Sequence, residues 1–217
     1  MKDIAIYGAG GYGRELACYL KSINREDPMW NLIGFFDDGI EKGTVLQYGL
    51  VLGGIEEVNK METELAIVFA IGSPNAIRSL VDQIFNKMIY YPNIIDPSVN
   101  FLDRESVKMG KGNVIGPKSV ISCNVTIGDF NLINLLCHLG HEAFLGDYNV
   151  LMPSVNICGG VTIGNHNLLA IKTTVLQYLS IPNNVLLGAG SILMSDAKDD
   201  CKYFGNPARP VMKNNNV

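Results

Sequence analysis

Reactive side chains are scarce in this sequence of 217 residues: it has three histidines and five cysteines, and only 18% of its residues are charged. The cysteines, at 18, 123, 137, 158 and 201, are odd in number and contain no CxxC spacing. That excludes a disulfide framework and a paired-cysteine metal site, and leads us to expect reduced thiols in a cytoplasmic protein. A net charge of -4 argues against nucleic-acid binding as the main task. No apolar run approaches bilayer-spanning length, and the apolar start, Ile4 to Ala9, runs straight into glycines rather than forming a targeting segment. Neither a Ser-His-Asp nor a Cys-His catalytic arrangement can be argued from the chain. With 47% hydrophobic residues, what remains is a globular protein with room for two compact domains.

The dominant positive feature is a period of six. Every sixth residue from Ile115 to Leu193 is Ile, Leu or Val, fourteen times without a miss. At the abundance of these residues in the stretch, chance would give such a run about once in a hundred thousand tries or less. Periods of 3.6 and 2 do not produce strict sixes, whereas a hexapeptide parallel β-helix does. Gly follows the aliphatic at 116, 128, 140, 146, 164 and 188, and small or Val residues precede it by two, as at Ser119, Val125, Cys137 and Val155. Each hexad therefore reads as a short strand plus a tight corner. Three hexads make a triangular coil of about eighteen residues, and coils stack at strand spacing, roughly 4.8 Å.

A small α/β unit precedes the repeat. Residues 3 to 7 read as a buried strand, followed by Gly8-Ala9-Gly10-Gly11-Tyr12-Gly13 and an amphipathic helix of about a dozen residues with Leu16, Ala17 and Leu20 inward. Leu32 to Phe36 form a second strand that ends in Asp37-Asp38, and Leu65 to Ile71 a third. The third strand leads through Gly72-Ser73-Pro74-Asn75 into a helix ending near Asn86, and Ile89 to Tyr91 are a last strand. This alternation implies a parallel sheet with its ligand beyond the carboxyl ends of the strands. About ninety residues make only half of a full dinucleotide fold, enough for one nucleotide and its phosphates. Backbone N–H groups of Gly10, Gly11, Tyr12 and Gly13 at the helix start are placed to hold a diphosphate, and Asp37 or Asp38 to accept from ribose or base. The alternative is that the glycines serve only the strand-helix turn.

Coil arithmetic separates the histidines. Residues eighteen apart stack, so His141 lies below Gly159 and above Cys123. The absent side chain at Gly159 leaves a slot beside the imidazole, into which a carbonyl could pass to meet the Gly159 or Gly160 N–H. Glu142 is placed to bond the other ring nitrogen and fix the tautomer that accepts a proton. His138 lies three residues earlier and either lines the same site or is structural, whereas His166 is expected at the surface. Cys158 neighbours Gly159 but has no activating base and reads as inert. Gly205-Asn206-Pro207-Ala208-Arg209 reads as a turn after the last coil.

GAGGYGRE at 8–15, FFDD at 35–38, AIGSPN at 70–75, the His141-Glu142 pair, PSVNICGGVTIG at 153–164 and GNPARP at 205–210 together resemble one family along nearly the whole chain. It is the sialic acid O-acyltransferase-like hexapeptide family, whose better-understood members N-acetylate nucleotide-linked 4-amino-6-deoxysugars of the bacillosamine, perosamine and viosamine pathways. The resemblance implies a left-handed β-helix, a homotrimer with sites between subunits, and acetyl-CoA in the groove between neighbouring prisms, with no metal. It implies His141 as base with Glu142 as partner, and Asn134 near the sugar, where His138, if it lines the site, would join it. The sugar nucleotide would then rest on the glycine loop, Asp37, Asp38 and Ser73. Gly159, Gly160, Ala189 and Arg209 are implied beside coenzyme A. Tyr12 departs from the small polar or His residue that several relatives carry in the glycine loop.

The expected organisation is a Rossmann-like sugar-nucleotide domain over 1–92, a β-helix acyltransferase domain over 93–198 and a tail over 199–217 near coenzyme A. The expected activity is transfer of acetyl from acetyl-CoA to the 4-amino group of a UDP-, dTDP- or GDP-linked amino-deoxysugar, without membrane or nucleic-acid partners. O-acetylation of sialic acid or another hydroxyl acceptor is the first rival. A non-catalytic solenoid and a zinc-dependent hydratase with histidines shared between subunits are the others.

Overall fold

The computed structural model describes residues 1–213. In the first domain β1 (Lys2–Tyr7), α1 (Gly11–Glu26) and β2 (Trp30–Phe36) follow the anticipated order. A hairpin, β3 (Val45–Leu46) and β4 (Gly49–Gly53), and a short helix, α2 (Ile55–Asn59), come next and have no counterpart in the sequence reading. Then come β5 (Leu65–Phe69), α3 (Pro74–Gln83) and β6 (Ile89–Tyr90). The sheet order is β3-β4-β2-β1-β5-β6, parallel except for β3. Ile4, Ile6, Leu16, Ala17, Leu20 and Phe35 fill the side under α1, and Ala5, Tyr7, Phe36, Ile67 and Ile77 the side under α3. Helix α1 runs to sixteen residues rather than a dozen, ending where Asp27 leaves helical geometry.

Residues 94–193 form a three-faced parallel β-helix whose strands are two residues long. The first face stacks Ile94–Ile95, Val114–Ile115, Leu132–Ile133, Val150–Leu151, Leu168–Leu169 and Leu186–Leu187. Its second face runs from Asn100–Phe101 through His138–Leu139 and Asn156–Ile157 to Ile192–Leu193, and its third from Lys108–Met109 to Ser180–Ile181. All partners are eighteen residues apart in the regular part, as with Val120, His138 and Asn156. The repeated aliphatics from Ile115 to Leu193 are buried along the prism axis. Each contributes about 1.5–3 kcal/mol by leaving water. The small residues two before them, including Ser119, Cys137, Val155 and Thr173, are buried with them.

The corners differ from the sequence expectation in one respect. Every sixth residue from Gly112 to Gly190 has φ between 55° and 68°, three places after the aliphatic rather than one. Left-handed backbone at Phe130, Leu136 and Tyr148 is unfavourable on its own, by about 1–2 kcal/mol each. It is offset by an inter-coil bond that recurs at these corners, such as Leu136 N–H to Pro117 C=O at 3.0 Å. The glycines just after the aliphatics answer a different need. A Cβ at Gly116 would lie 2.7 Å from the Leu135 nitrogen, and one at Gly140 2.6 Å from the Cys158 carbon, so the coil above excludes it.

The first domain sits on the first face and on the edge between third and first faces. Leu132 and Val150 are buried against it, and Phe130 meets Phe69 and Tyr91 at ring separations of 6.2 and 5.0 Å. Along that edge Phe130, Tyr148 and His166 stack at 5.3 and 5.2 Å. His166 is therefore not a free surface residue: Arg78 of α3 donates to its Nε2 at 3.3 Å. The GNPAR segment is likewise more than a turn. It joins Cys201–Gly205 to Ala208–Lys213 in an antiparallel hairpin that extends the first face.

Candidate active site

His141 and Gly159 lie on one edge, between second and third faces, one coil apart. A Cβ at Gly159 would overlap the His141 ring, whose Cδ2 it would approach to 2.8 Å and whose Nε2 and Cε1 it would meet more closely still. The vacancy at Gly159 is thus the seat of the imidazole itself, not a free slot. The two candidate amides are also not equivalent. Gly160 N–H donates to the His141 carbonyl at 2.8 Å as part of the coil-to-coil ladder. Among the described residues the Gly159 N–H has no such partner. One unengaged main-chain donor therefore stands beside an imidazole that is 54% exposed, so the pair is open to a ligand from outside the prism.

Glu142 takes a left-handed corner, φ 58°, and holds Oε2 3.7 Å from His141 Nδ1. That is beyond hydrogen-bond length, so the bond expected from Glu142 to the other ring nitrogen is not made and the carboxylate is only a close neighbour of the ring. It occupies the Nδ1 side of the ring and leaves Nε2 as the nitrogen nearest Gly159. His138 projects outward from the second face between Val120 and Asn156. Cys137, which faces inward, has its thiol pushed up to about 12 by burial and is inert.

The glycine loop lies elsewhere. Gly8, at φ 110°, has no room for a Cβ beside Ala70, and Gly13 none beside Gly8. Gly10, by contrast, has nothing within 4 Å, Gly11 only the tip of Arg14, and Gly72 nothing. The turn alone accounts for two of the glycines, and the bare ones surround the uncapped start of α1, where free N–H groups and the positive helix end favour an anion. Asp37 holds this loop: its Oδ2 accepts from Ala9 N–H at 2.8 Å and its Oδ1 from Gly39 N–H at 2.9 Å. Asp38 accepts from the Tyr7 hydroxyl at 2.5 Å and from Ile55 N–H at 2.9 Å. Both carboxylates are already engaged, so their first role is to fix the loop and β4–α2 turn. They also line a cavity of about 320 Å³ with Ile40, Lys42 and Gly54. Ser73 caps α3 by accepting from Ala76 N–H at 3.4 Å.

Tyr12 leaves the loop toward the prism and, with Glu15, Gly72, Leu132, Asn134 and Met152, lines a cavity of about 280 Å³. Its hydroxyl is sealed and unpaired among the described residues, and burial, more than the nearby Glu15, holds its pKa far above the usual tyrosine value. Asn134 spends its Oδ1 on Leu135 N–H at 2.7 Å and retains its amide donors. Asn134 sits on the edge between first and second faces, as does exposed Ala189, while His141 and Gly159 sit on the next edge. Arg209 is exposed on the terminal hairpin. One chain therefore brings His141, Glu142 and Gly159 together, and the glycine loop, Tyr12 and Asn134 together, but leaves the second face between the two groups. Among the described residues no cluster of three or more His, Cys, Asp or Glu side chains could hold a metal, and no helix is long and apolar enough to cross a membrane.

Residues 3–84, which carry the glycine loop, the acidic pair and Ser73, match the family model of the PglD N-terminal domain. No curated protein matches the sequence. Among solved structures the acetyltransferase domain of PglB from Neisseria gonorrhoeae, in complex with acetyl coenzyme A, is 23% identical with a TM-score of 0.86, covering 97% of this chain and 99% of that one. WeeI from Acinetobacter baumannii is also 23% identical, with a TM-score of 0.86, over 97% of this chain and all of that one. A histidine-to-asparagine mutant of perosamine N-acetyltransferase from Caulobacter crescentus, in complex with CoA and GDP-perosamine, is 20% identical with a TM-score of 0.84 over 98% of both. The likeness runs end to end, so both domains and their order are shared.

Proposed function

We propose that this chain, whose first domain matches the PglD N-terminal family and whose whole fold is that of the sugar N-acetyltransferases above, is an acetyl-CoA-dependent acetyltransferase. Its acceptor is the 4-amino group of a nucleotide-linked amino-deoxysugar. The observation that carries this reading is the unengaged Gly159 amide beside the solvent-facing imidazole of His141. In the reaction the amine nitrogen attacks the thioester carbonyl carbon, and His141 Nε2 takes the proton that the amine loses. The carbonyl oxygen, now an oxyanion, accepts from the Gly159 N–H. The tetrahedral centre collapses, the carbon–sulfur bond breaks, and coenzyme A leaves as the thiolate, reprotonated from the imidazolium. The nearby Glu142 charge stabilises that imidazolium. Cys158 takes no part, and transfer is direct within a ternary complex.

The nucleotide diphosphate rests on Gly10, Gly11, Tyr12 and Gly13, its base in the cavity beside Asp37 and Asp38, and the sugar runs toward Asn134 and His138. Because the loop and His141 lie on different edges, a complete site takes the loop from one chain and the imidazole from another, and a homotrimer is the assembly that meets this. Gly160, Ala189 and Arg209 line the coenzyme A groove. The boundaries 1–92, 93–198 and 199–217 then separate nucleotide binding, transfer and coenzyme A contact. Residues 214–217 lie outside the described residues.

The test is a panel of free sialic acid and UDP-, dTDP- and GDP-linked 4-amino sugars with acetyl-CoA, followed by thiol release. Turnover with one nucleotide-linked amine and a loss of about a hundredfold or more in His141→Ala are expected, the scale of a positioned base. Acetylation of sialic acid instead would move the acceptor to a hydroxyl. Near-normal turnover in the mutant would remove His141 from the mechanism.

A further inference from the structure

Two neighbouring columns climb the edge that carries His141. One contains Cys123, His141, Gly159 and Gln177, the other Asn124, Glu142, Gly160 and Tyr178, each step being one coil. Gly159 and Gly160 are adjacent glycines with different occupants. The His141 ring fills the vacancy at Gly159 from the coil below. The Tyr178 ring fills the vacancy at Gly160 from the coil above, where a Cβ would lie 2.6 Å from its Cε1 and nearer still to its Cδ1. Two rings therefore sit on adjacent residues of one dipeptide, one from the coil below and one from the coil above, and the amide of that dipeptide without a coil-to-coil partner is the one at its His141 end, Gly159.

Within one chain no packing contact beyond the seat on Gly160 explains Tyr178. It is 72% exposed, its ring has no stacking partner and its hydroxyl no hydrogen bond among the described residues. On the opposite edge the same geometry, Phe130 seated on Gly112, serves burial: Phe130 is 4% exposed and sits under the first domain. Tyr178 spends a large apolar ring on no such contact.

We infer that Tyr178 is the upper wall of the acyl site and sets the length of the acyl group that can be transferred. This rests on the acetyltransferase reading above. A carbonyl oxygen on the Gly159 N–H places the reacting carbon at the His141 end of the dipeptide, one residue from the seat of the Tyr178 ring. The amine must approach from the His141 side to lose its proton there, which leaves the acyl chain bounded by Tyr178. An acetyl methyl fits beneath such a wall, and each further methylene meets the ring.

Steady-state thiol release with acetyl-, propionyl- and butyryl-CoA separates the outcomes in the full-length protein, Tyr178→Ala and Tyr178→Phe. We expect kcat/KM for butyryl relative to acetyl to rise about tenfold or more in Tyr178→Ala, the scale at which pocket walls discriminate methylenes. Tyr178→Phe keeps the original ratio, because the ring and not the hydroxyl forms the wall. Thermal melting should be unchanged in both, as the residue is exposed. An unmoved ratio in Tyr178→Ala, or a change confined to the KM of the amino sugar, overturns the assignment of Tyr178 and leaves the acetyltransferase reading standing. No thiol release from any acyl-CoA by the unaltered protein overturns both.

Discussion

Two edges of the same prism use the same hexad to opposite ends. On the edge beneath the first domain, the second residue after the aliphatic is Asp or Asn, and each lends Oδ1 to the equivalent N–H one coil below. Lys111 N–H donates to Asp129, Asp129 to Asp147, Asp147 to Asn165, and Asn165 to Asn183, at 2.7 to 2.9 Å. A second, buried ladder of Asn113, Asn131, Asn149 and Asn167 runs inside it. On the edge that carries the candidate site, those outer positions hold Cys123, His141, Gly159 and Gln177, none of which caps the amide below. Two edges can thus share their backbone while one is closed by side-chain ladders and the other keeps its donors for a ligand. The difference lies in two residues per coil, the outer one and the inner asparagine, which the site edge replaces by Val125, Ala143, Val161 and Leu179.

Disrupting the closed edge should have the largest effect, and on stability alone. Asn149 is fully buried, donates to Asn131 Oδ1 and Gly164 C=O, and accepts from the Asn167 N–H and side-chain amide. Asn149→Ala strands several of those groups without water. A cost of about 3 kcal/mol or more is expected from orphaned buried partners, which is roughly 10 °C in Tm for a chain of this size. Turnover per folded molecule should be unchanged, because the open edge is untouched. Calorimetry with parallel kinetics measures both, and a stable Asn149→Ala protein would mean that the ladder is decoration.

The open edge should answer the other way. Gly159 has an ordinary backbone conformation, so Gly159→Ala introduces no left-handed strain, but its methyl occupies the imidazole seat. The exposed ring can swing aside, which spares the fold and displaces the base. A turnover loss of about tenfold to a hundredfold is expected with Tm nearly constant, the scale of misplacing a reacting group by about an ångström. Equal damage to Tm and turnover would mean that Gly159, like Gly116, is there only for packing.

Much of this contrast could be read in the sequence. The period of six fixed the three faces, the eighteen-residue stacking and the pairing of His141 with Gly159, because strict repetition leaves no other register. The coils nevertheless start earlier than Ile115: Ile95 and Phe101 keep the period, and two extra residues before Met109, folded into the turn Arg104–Ser106, hide it. The buried asparagines were signalled by omission, since positions 113, 131, 149 and 167 break the rule that a small residue or Val precedes the aliphatic by two. A repeat cannot tell whether a given amide is engaged, which is why Gly159 and Gly160 looked alike. Nor does it show where the first domain lands, so Phe130, Tyr148 and His166 read as unrelated corners, and the engagement of Asp37 and Asp38 was not foreseen.

His166 offers the smallest effect and the most direct test of the docked edge. Burial disfavours its imidazolium, and Arg78, whose guanidinium donates to Nε2, adds to this. Asp147 on the prism and Asp82 on α3 pull the other way without reversing it. Since Arg78 can only donate, Nε2 must be the acceptor and the proton sits on Nδ1, which is buried and unpaired among the described residues. The folded pKa is therefore below the unfolded value of about 6.5. Above that value both states are neutral and the contact contributes in full. As pH falls through it the unfolded chain takes up a proton before the folded one does, and this part of the stability is lost down to the folded pKa. In His166→Phe the ring still stacks on Tyr148, but this component disappears. The fall in Tm between pH 7 and pH 5 should then be shallower than in the unaltered protein, by roughly 1–2 °C. An identical pH slope would mean that the imidazole is as solvated as an open corner, and that the first domain does not seal this edge.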